Sequence, residues 1–152
     1  MKIVPLVERP ELVDRVAAWG FAEWGHLNPG QTLQSRTAEI HERMNADRVP
    51  IVLVALDDAD TLVGTASLLF DDLEGDPRNP WLASVFVPAE QRGKGIASAL
   101  VAAIEGAAKR LGYPTLHLFT TSAARLYARL GWRALERRDY RGEHVQVMDK
   151  AL

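Results

Sequence analysis

The sequence predicts a mixed α/β fold, in which one sheet holds antiparallel and parallel strands and carries helices on both faces. Two observations favour it. Continuous apolar runs of strand length, Ile51–Leu56 and Trp81–Val87, indicate strands buried on both sides. A strand, a helix and another strand also succeed one another between Trp81 and Phe119, and such a connection makes its strands parallel with a right-handed crossover.

The N-terminal third is predicted to contain a short strand and two helices. Residues 2–7 form the strand, Pro10 opens the first helix, and Thr32 caps the second. Apolar residues recur at helical spacing in both segments, so each helix has one buried stripe. The stripes are Leu12, Val13, Val16, Ala17, Gly20 and Trp24 in the first helix and Leu33, Thr37, Ile40 and Met44 in the second.

The middle of the chain is predicted to form an antiparallel hairpin followed by a loop and a strand. Ile51–Leu56 and Thr61–Phe70 are the hairpin strands, and Asp57–Asp60 is the turn between them. Asp71–Pro80 is a polar loop, and Trp81–Val87 is the next strand.

The C-terminal part is predicted to contain two helices, a strand between them and a terminal hairpin. Gly112 ends the first helix and Thr121 or Ser122 caps the second. The buried faces are Ile96, Leu100, Ile104, Ala107, Ala108 and Leu111, then Ala123, Leu126, Tyr127 and Leu130. The strands are Thr115–Phe119, Trp132–Arg138 and Glu143–Met148. The complete order is β-α-α-β-β-β-α-β-α-β-β.

Composition limits the function classes. We expect residues 1–152 to form a single domain, since 47% hydrophobic and 25% charged residues are globular values. A net charge of -2 argues against nucleic-acid or anionic-membrane partners. The absence of cysteine excludes disulfides, a cysteine nucleophile and thiolate metal sites, and fits a cytoplasmic protein. Neither a signal peptide, a membrane span nor a metal-binding histidine pattern is predicted.

The segment Gln91–Ala97 is the strongest functional motif. A strand, a glycine-rich turn and a helix point several backbone N–H groups at one spot, which suits a phosphate. The P-loop spacing is not met, and the dinucleotide pattern fails because Ser98 replaces its third glycine. Arg92, Gly95 and Ala97 do fit the pattern Arg-x-x-Gly-x-Gly/Ala. An ordinary turn with solvated basic residues is the alternative interpretation.

This turn resembles the acetyl-CoA pyrophosphate loop of the GNAT family of N-acetyltransferases. One strand later, Ala123–Trp132 is similar to the family segment Ala-x-x-Leu-Tyr-x-x-x-Gly-Phe. The resemblance implies a splayed sheet whose two parallel strands hold acetyl-CoA between them. It also implies that the terminal hairpin can pair two chains into a homodimer.

The resemblance implies roles for individual residues. Tyr127 would be the general acid that protonates the leaving thiolate, rather than only a core aromatic. The backbone N–H of Val85 or Val87 would stabilise the tetrahedral intermediate. Thr120 stands where many relatives have an asparagine that contacts pantetheine. Further cofactor contacts would be the backbones of Val85, Phe86 and Val87 for pantetheine, and Arg92, Gly93, Lys94, Gly95, Ile96 and Ala97 for the pyrophosphate.

The general base is open, because Trp81–Val87 lacks the acidic residue that many relatives carry there. The candidates are a water chain or His26, Asp71, Asp72, Glu74 and Asp76. We expect loops 25–31, 71–80 and 138–143 to crowd the acceptor side. Acidic residues beside a cleft would attract a cationic amine, although solvated loop residues are the simpler interpretation.

We therefore predict an N-acetyltransferase that moves an acetyl group directly from acetyl-CoA to a primary amine in a ternary complex. The acceptor would be a small cationic metabolite or a peptide amine. A non-catalytic acyl-CoA-binding module is the alternative, and a nicotinamide-nucleotide domain is disfavoured by the failed dinucleotide pattern. The tryptophans Trp19, Trp24 and Trp81 are predicted to lie in the core.

Overall fold

The computed structural model describes residues 1–152 and contains one seven-stranded mixed sheet. The strands are β1 (Lys2–Pro5), β2 (Ile51–Leu56), β3 (Leu62–Leu69), β4 (Trp81–Phe86), β5 (Thr115–Thr120), β6 (Arg133–Tyr140) and β7 (Glu143–Ala151). The helices are α1 (Val13–Trp24), α2 (Leu33–His41), α3 (Ile96–Arg110) and α4 (Ala124–Arg129). The strand order is β1-β2-β3-β4-β5-β7-β6. The predicted fold class and element order are confirmed.

Only one neighbouring pair of strands is parallel. β4 and β5 are joined through α3 and run in the same direction, whereas every other pair is antiparallel. The β2–β3 hairpin turns at Asp57, whose Oδ1 accepts hydrogen bonds from the backbone N–H groups of Ala59 and Thr61. This Asx-type turn is why the aspartate-rich segment ends one strand and starts the next.

β2 shows why helices cover both faces of the sheet. All six of its residues are buried, and alternate residues point to opposite faces. Ile51, Leu53 and Ala55 belong to the cluster that contains the buried face of α3. Val52, Val54 and Leu56 belong to the cluster that contains the buried residues of α1 and α2. A strand that is apolar throughout therefore has an apolar helix surface on each side.

Two predicted helix stripes need correction. Leu33 of α2 is 47% exposed and Leu111, just after α3, is 38% exposed. The buried face of α2 instead consists of Arg36 and Ile40. Apolar spacing identified the helices correctly, but it assumed that every buried position is apolar. Thr32 does cap α2 as predicted, in a reciprocal pair of hydrogen bonds with Ser35.

The start of α4 also differs from the prediction. Neither Thr121 nor Ser122 caps it with a side chain; the N-cap residue is Ala123. The Oγ1 of Thr120, the last residue of β5, accepts hydrogen bonds from the backbone N–H groups of Ala123 and Ser122, at 3.0 and 3.4 Å. Of the four residues predicted for the buried face of α4, only Tyr127 is fully buried.

The three tryptophans predicted to lie in the core differ in burial. Trp81 is fully buried, as predicted, and its Nε1 donates to the backbone oxygen of Arg78. Trp19 and Trp24 are only half-buried and contact the ring of Phe86, with centroids 5.2 and 6.3 Å away. None of the helices has the length and apolar character needed to cross a membrane.

Candidate active site

The two parallel strands separate soon after they meet. β4 and β5 pair at Trp81 and His117, where the His117 backbone N–H also donates to the Pro80 oxygen at 3.1 Å. Beyond this point both strands line one open cleft of about 650 Å³. Its strand residues are Leu82, Ala83, Ser84 and Val85 from β4 and Leu118, Phe119 and Thr120 from β5. Strand edges that have separated can offer backbone hydrogen bonds to an extended ligand.

β4 also carries a bulge in this stretch. Thr65 of β3 faces Phe86, but Ser67 faces Ala83, so β4 has an extra residue in between. Ser84 lies there with a φ of 53°. A bulge redirects the backbone locally and is common beside functional sites. Val85 is the next residue. It lines the cleft, and its backbone does not pair regularly with β3.

The glycine-rich turn ends in a helix start with the geometry of an anion site. Gly93 and Gly95 have φ values of 79° and 78°, which favour glycine, and Gly95 is the N-cap of α3. The first backbone N–H groups of a helix have no intrahelical partner and lie at its positive end. Arg92 and Lys94 are exposed beside them. Arg92 Nε also donates to the Val87 oxygen at 3.0 Å, which ties the turn to the end of β4.

Tyr127 faces the cleft from α4. Tyr127 is 7% exposed and lines the cleft, and burial raises the pKa of its hydroxyl to about 12. The ring packs edge-on against Trp132, with centroids 6.1 Å apart, and the Tyr127 backbone oxygen accepts from the Trp132 N–H. The phenol is therefore fixed in position and keeps its proton at neutral pH.

Two carboxylates of the 71–80 loop are occupied by arginines. Asp76 is buried and accepts from Arg78 Nε and NH2 and from Arg138 NH2. The hydrogen bonds from Arg78 hold the pKa of Asp76 well below its ordinary value. Glu74 accepts from Arg141 NH2. Asp76 therefore stays charged and paired, whereas Glu74 is an exposed carboxylate that pairs with Arg141.

Asp72 has a different environment from its neighbours. It is half-buried and lines the cleft, whereas the adjacent Asp71 is exposed at the rim. Burial raises the pKa of Asp72 to about 7, although the positive charges of Arg43 and Arg36 oppose the shift. A carboxyl with a pKa near neutrality can exchange a proton at physiological pH.

Three loops meet at the mouth of the cleft, as the sequence predicted. Arg141 joins them: its NH1 donates to the Leu27 oxygen at 3.1 Å and to Asn28 Oδ1 at 2.8 Å, and its NH2 bonds Glu74. The backbone N–H of Glu74 also donates to the Tyr140 hydroxyl at 3.3 Å. The loops are residues 25–31, 71–80 and 138–143. The tip of the terminal hairpin thus closes one end of the cleft.

The comparisons with known proteins fit this geometry. A family model described as the acetyltransferase (GNAT) family matches residues 12–132, most of the chain. This chain belongs to the GNAT family of acetyltransferases. No curated protein sequence matches it. The predicted family resemblance is therefore confirmed.

Solved N-acetyltransferase structures share the fold across almost the whole chain. An aminoglycoside 6'-N-acetyltransferase complexed with coenzyme A has 19% identity and a TM-score of 0.76, covering 99% of this chain and 97% of that chain. A ribosomal-protein-alanine N-acetyltransferase from Brucella melitensis has 22% identity and a TM-score of 0.74, with 100% of both chains covered. Mutant forms of a spermidine/spermine N-acetyltransferase from Vibrio cholerae have 16% identity and a TM-score of 0.71, covering 99% and 93%.

Two arginines that were not predicted belong to the cleft of this GNAT chain. Arg36 of α2 and Arg43, two residues after its end, line the cleft and flank Ile40 with the spacing i, i+4 and i+7. This spacing is the feature of the sequence that could have indicated them, because it puts an arginine on either side of Ile40 on one helix face. Trp24 and Glu23 at the end of α1 also line the cleft.

His26 lies outside the cleft lining. Its side chain is 63% exposed, and Nε2 is 3.8 Å from a carboxylate oxygen of Glu143. Thr120 does line the cleft, but its hydroxyl oxygen already accepts the two hydrogen bonds that start α4. Its Oγ1 therefore has a structural task besides any contact with a ligand.

Proposed function

We propose that this GNAT chain is an N-acetyltransferase that transfers an acetyl group from acetyl-CoA to a primary amine, directly within a ternary complex. The observation that carries the proposal is that Val85, Tyr127 and Asp72 line the same cleft. Val85 supplies backbone hydrogen-bonding groups, Tyr127 supplies a hydroxyl that keeps its proton until it is donated, and Asp72 supplies a carboxyl that can take a proton. These are the three functions that acyl transfer to an amine requires.

The cofactor is proposed to lie along β4 and the glycine-rich turn. The pantetheine amides would bond the backbones of Val85, Phe86 and Val87 as an added strand. The pyrophosphate would bind the N–H groups of Gly93, Lys94, Gly95, Ile96 and Ala97, at the start of α3. Arg92 would add positive charge next to the phosphates, while its Nε holds Val87 in place.

The proposed reaction has three parts: attack by the amine, stabilisation of the tetrahedral intermediate, and departure of the CoA thiolate. The amine gives up a proton and attacks the thioester carbon, so that a C–N bond forms and the carbonyl oxygen becomes negative. The backbone N–H of Val85 or Val87 stabilises that oxygen. The C–S bond then breaks as the carbonyl re-forms, and Tyr127 donates its proton to the departing sulfur. The nitrogen loses its remaining extra proton, which restores the Tyr127 hydroxyl, so the products are CoA thiol and the neutral acetylated amine.

We assign the general base to Asp72 among the candidates. Asp76 and Glu74 are held by arginines, and His26 is outside the cleft lining. Asp72 lines the cleft and has a pKa of about 7, which suits a proton acceptor at neutral pH. The exposed Asp71 next to it adds negative charge at the rim, where an ammonium group would enter.

The acceptor class is proposed as a small cationic metabolite or a peptide amine. The structural neighbours named above act on an aminoglycoside, a ribosomal-protein alanine and spermidine/spermine. One fold thus serves acceptors of different chemistry, so the choice must come from the residues of this cleft.

Thermal unfolding with acetyl-CoA, CoA and NAD at equal concentration tests the cofactor, and CoA thiol release with a panel of amines tests the reaction. A ligand at 100 times its Kd stabilises a protein by about 2.7 kcal/mol. We expect a shift with both CoA forms and none with NAD, and thiol release with at least one amine. A CoA shift without acetylation of any amine would indicate an acyl-CoA-binding module. The absence of a CoA shift would contradict the cofactor site.

A further inference from the structure

Two buried arginines stand in the cleft. The side chain of Arg36 is 8% exposed and that of Arg43 is 14% exposed. Both line the cleft, whereas the exposed and apolar Leu33 at the start of α2 does not. Charged side chains are rarely buried this deeply without full sets of partners, because desolvation of the charge is costly.

The partners present in the chain do not satisfy these arginines. Arg36 NH1 is 3.4 Å from Glu39 Oε2, and Arg43 NH2 is 3.8 Å from the same oxygen. One carboxylate is therefore shared by two guanidinium groups, at long distances. Arg36 Nε and Arg43 NH1 are buried and have no hydrogen-bond partner. Burial accordingly lowers the pKa of both arginines.

An ordinary ion pair of the same chain looks different. Arg133 bonds Asp149 with two nitrogens, at 3.1 and 3.0 Å, in the two-pronged arrangement that matches a carboxylate to a guanidinium. This surface pair is complete, whereas the buried cleft arginines are not. The two arginines whose hydrogen bonds are incomplete thus lie in the cleft, where a ligand could complete them.

Arg36 is held firmly next to β4. Its guanidinium lies against Gly20 of α1, where an added Cβ would be 2.7 Å from Arg36 NH2. On the other side, Arg36 NH2 donates to Ser84 Oγ at 3.3 Å. Ser84 precedes Val85, so the guanidinium stands beside the strand position at which acetyl transfer is proposed.

We propose that Arg36 and Arg43 form a carboxylate-binding subsite, and that the acceptor is an amine that carries a carboxylate close to it, as an amino acid does. This inference rests on the proposed function and narrows its acceptor class. The acceptor carboxylate would complete the bonds of the two arginines, and its ammonium would face Asp72, whose charge interacts with both. Polyamines and aminoglycosides have no carboxylate for this subsite.

Matched acceptor pairs provide the first test. CoA thiol release is measured with the common amino acids, with the corresponding amino acid amides, and with spermidine and kanamycin. A charge-assisted pair of hydrogen bonds is worth about 10- to 100-fold in affinity. We expect at least one amino acid to exceed its own amide about tenfold in kcat/KM. Equal turnover of all acids and amides, or preference for spermidine or kanamycin, would overturn the inference while supporting an N-acetyltransferase.

A binding test does not depend on turnover. N-acetyl amino acids carry the carboxylate but no reactive amine, and their amides lack the charge. Titration of the CoA-saturated protein with both series is compared for the native chain and for Arg43→Gln. We expect the acids to bind more tightly to the native chain, and Arg43→Gln to remove that preference. If no acid binds better than its amide, the subsite does not exist, even if acetyltransferase activity is found.

Variants distinguish a binding subsite from structural arginines. Arg43→Lys keeps a charge without the guanidinium fork, and we expect it to restore only part of the preference lost in Arg43→Gln. Arg48→Gln removes an exposed arginine outside the cleft lining and serves as the control. Equal losses for acids and amides in both Arg43 variants would mean that the arginines only support the fold. Arg36→Gln is a second variant, used if Arg43→Gln does not fold.

Discussion

Arg141 and Glu74 form an ion pair that joins the tip of the β6–β7 hairpin to the loop before β4. The two residues are 67 positions apart in the chain. Arg141 also bonds the backbone of Leu27, so the loop after α1, the loop before β4 and the last hairpin are fixed to one another. This end of the cleft is therefore shaped by the C-terminal hairpin rather than by β4 and the glycine-rich turn.

Loss of this connection should affect the acceptor more than the cofactor. For Arg141→Gln we expect a rise of about tenfold in the acceptor KM, because the loops at the cleft mouth lose their common partner and their positions are no longer fixed. The Kd for acetyl-CoA should change by less than about twofold, since Arg141 lies away from the glycine-rich turn. Steady-state kinetics and titration with acetyl-CoA measure the two effects.

Arg137→Gln is the matched control for that experiment. Arg137 lies in β6 of the same hairpin, is exposed and forms no ion pair in the chain. Its replacement should leave both constants unchanged. Similar effects of the two substitutions would show that charge on the hairpin matters, and not the connection between the loops.

Tyr127→Phe separates catalysis from binding. Without the hydroxyl, the thiolate has to leave without a proton, and kcat should fall by about 10²- to 10⁴-fold. The ring remains, so its packing against Trp132 and the binding of acetyl-CoA should be retained. Tyr113→Phe is the control, because Tyr113 is half-buried against the core and lies outside the cleft lining. Unchanged turnover in Tyr127→Phe would remove Tyr127 from the proposed mechanism.

Acetylation should depend on pH through Asp72. A general base must be deprotonated to act, and the pKa of Asp72 is about 7. We expect kcat/KM to rise about tenfold per pH unit below that value and to level above it. Asp72→Asn should lower the rate and flatten the profile, whereas Asp71→Asn, at the exposed neighbour, should keep the inflection. A profile with the same inflection in Asp72→Asn would assign the base to another group.

The same shift predicts how stability depends on pH. The folded pKa of Asp72 is raised above the unfolded value of about 3.9, so its neutral form favours folding. That contribution is complete below about pH 4 and is lost as pH rises through 7. Asp72→Asn stays neutral throughout. We therefore expect the difference in Tm, variant minus native, to be larger at pH 8 than at pH 5. A larger difference at pH 5 would contradict the buried environment assigned to Asp72.

Gly95→Ala tests the glycine-rich turn. Alanine at a φ of 78° costs about 1 kcal/mol or more, and relief of that strain would move the first N–H groups of α3. We expect a lower Tm and weaker acetyl-CoA binding. Gly106→Ala, inside α3, is the control, since alanine in a helix interior gains about 1 kcal/mol over glycine. Equal acetyl-CoA affinity in Gly95→Ala would show that the turn does not hold the cofactor.

The sequence predicted the sheet better than the cleft. β2 was predicted with its correct limits, Ile51–Leu56, because a strand covered on both faces is apolar without interruption. The buried face predicted for α2 was partly wrong because this helix borders a polar cleft. Arg36 is buried there and Leu33 is exposed. Hydrophobic spacing identifies what faces a core, and it does not identify a polar side chain that faces a cavity.

The acidic residues of the 71–80 loop show a second reason why the site could be predicted only in part. The sequence predicted that Asp71, Asp72, Glu74 and Asp76 lie beside the cleft, and it did not distinguish among them as candidate bases. Asp76 is held mainly by Arg78, two residues away, and also by Arg138, 62 residues away, whereas Glu74 pairs with Arg141, 67 residues away. Pairings at such separations depend on how the terminal hairpin folds back over the loop, which local patterns do not encode.

The single pairing of Trp81 with His117 divides the sheet into two antiparallel halves that meet along a seam, with α3 as the bridge between them. A molecule that lies in this seam and bonds both edges becomes an internal strand of the sheet. Occupancy should then stiffen the whole domain, and slow amide exchange in β4 and β5 together, far more than its contact area would indicate. If acetyl-CoA binds there as proposed, the sheet is complete only when the ligand is bound.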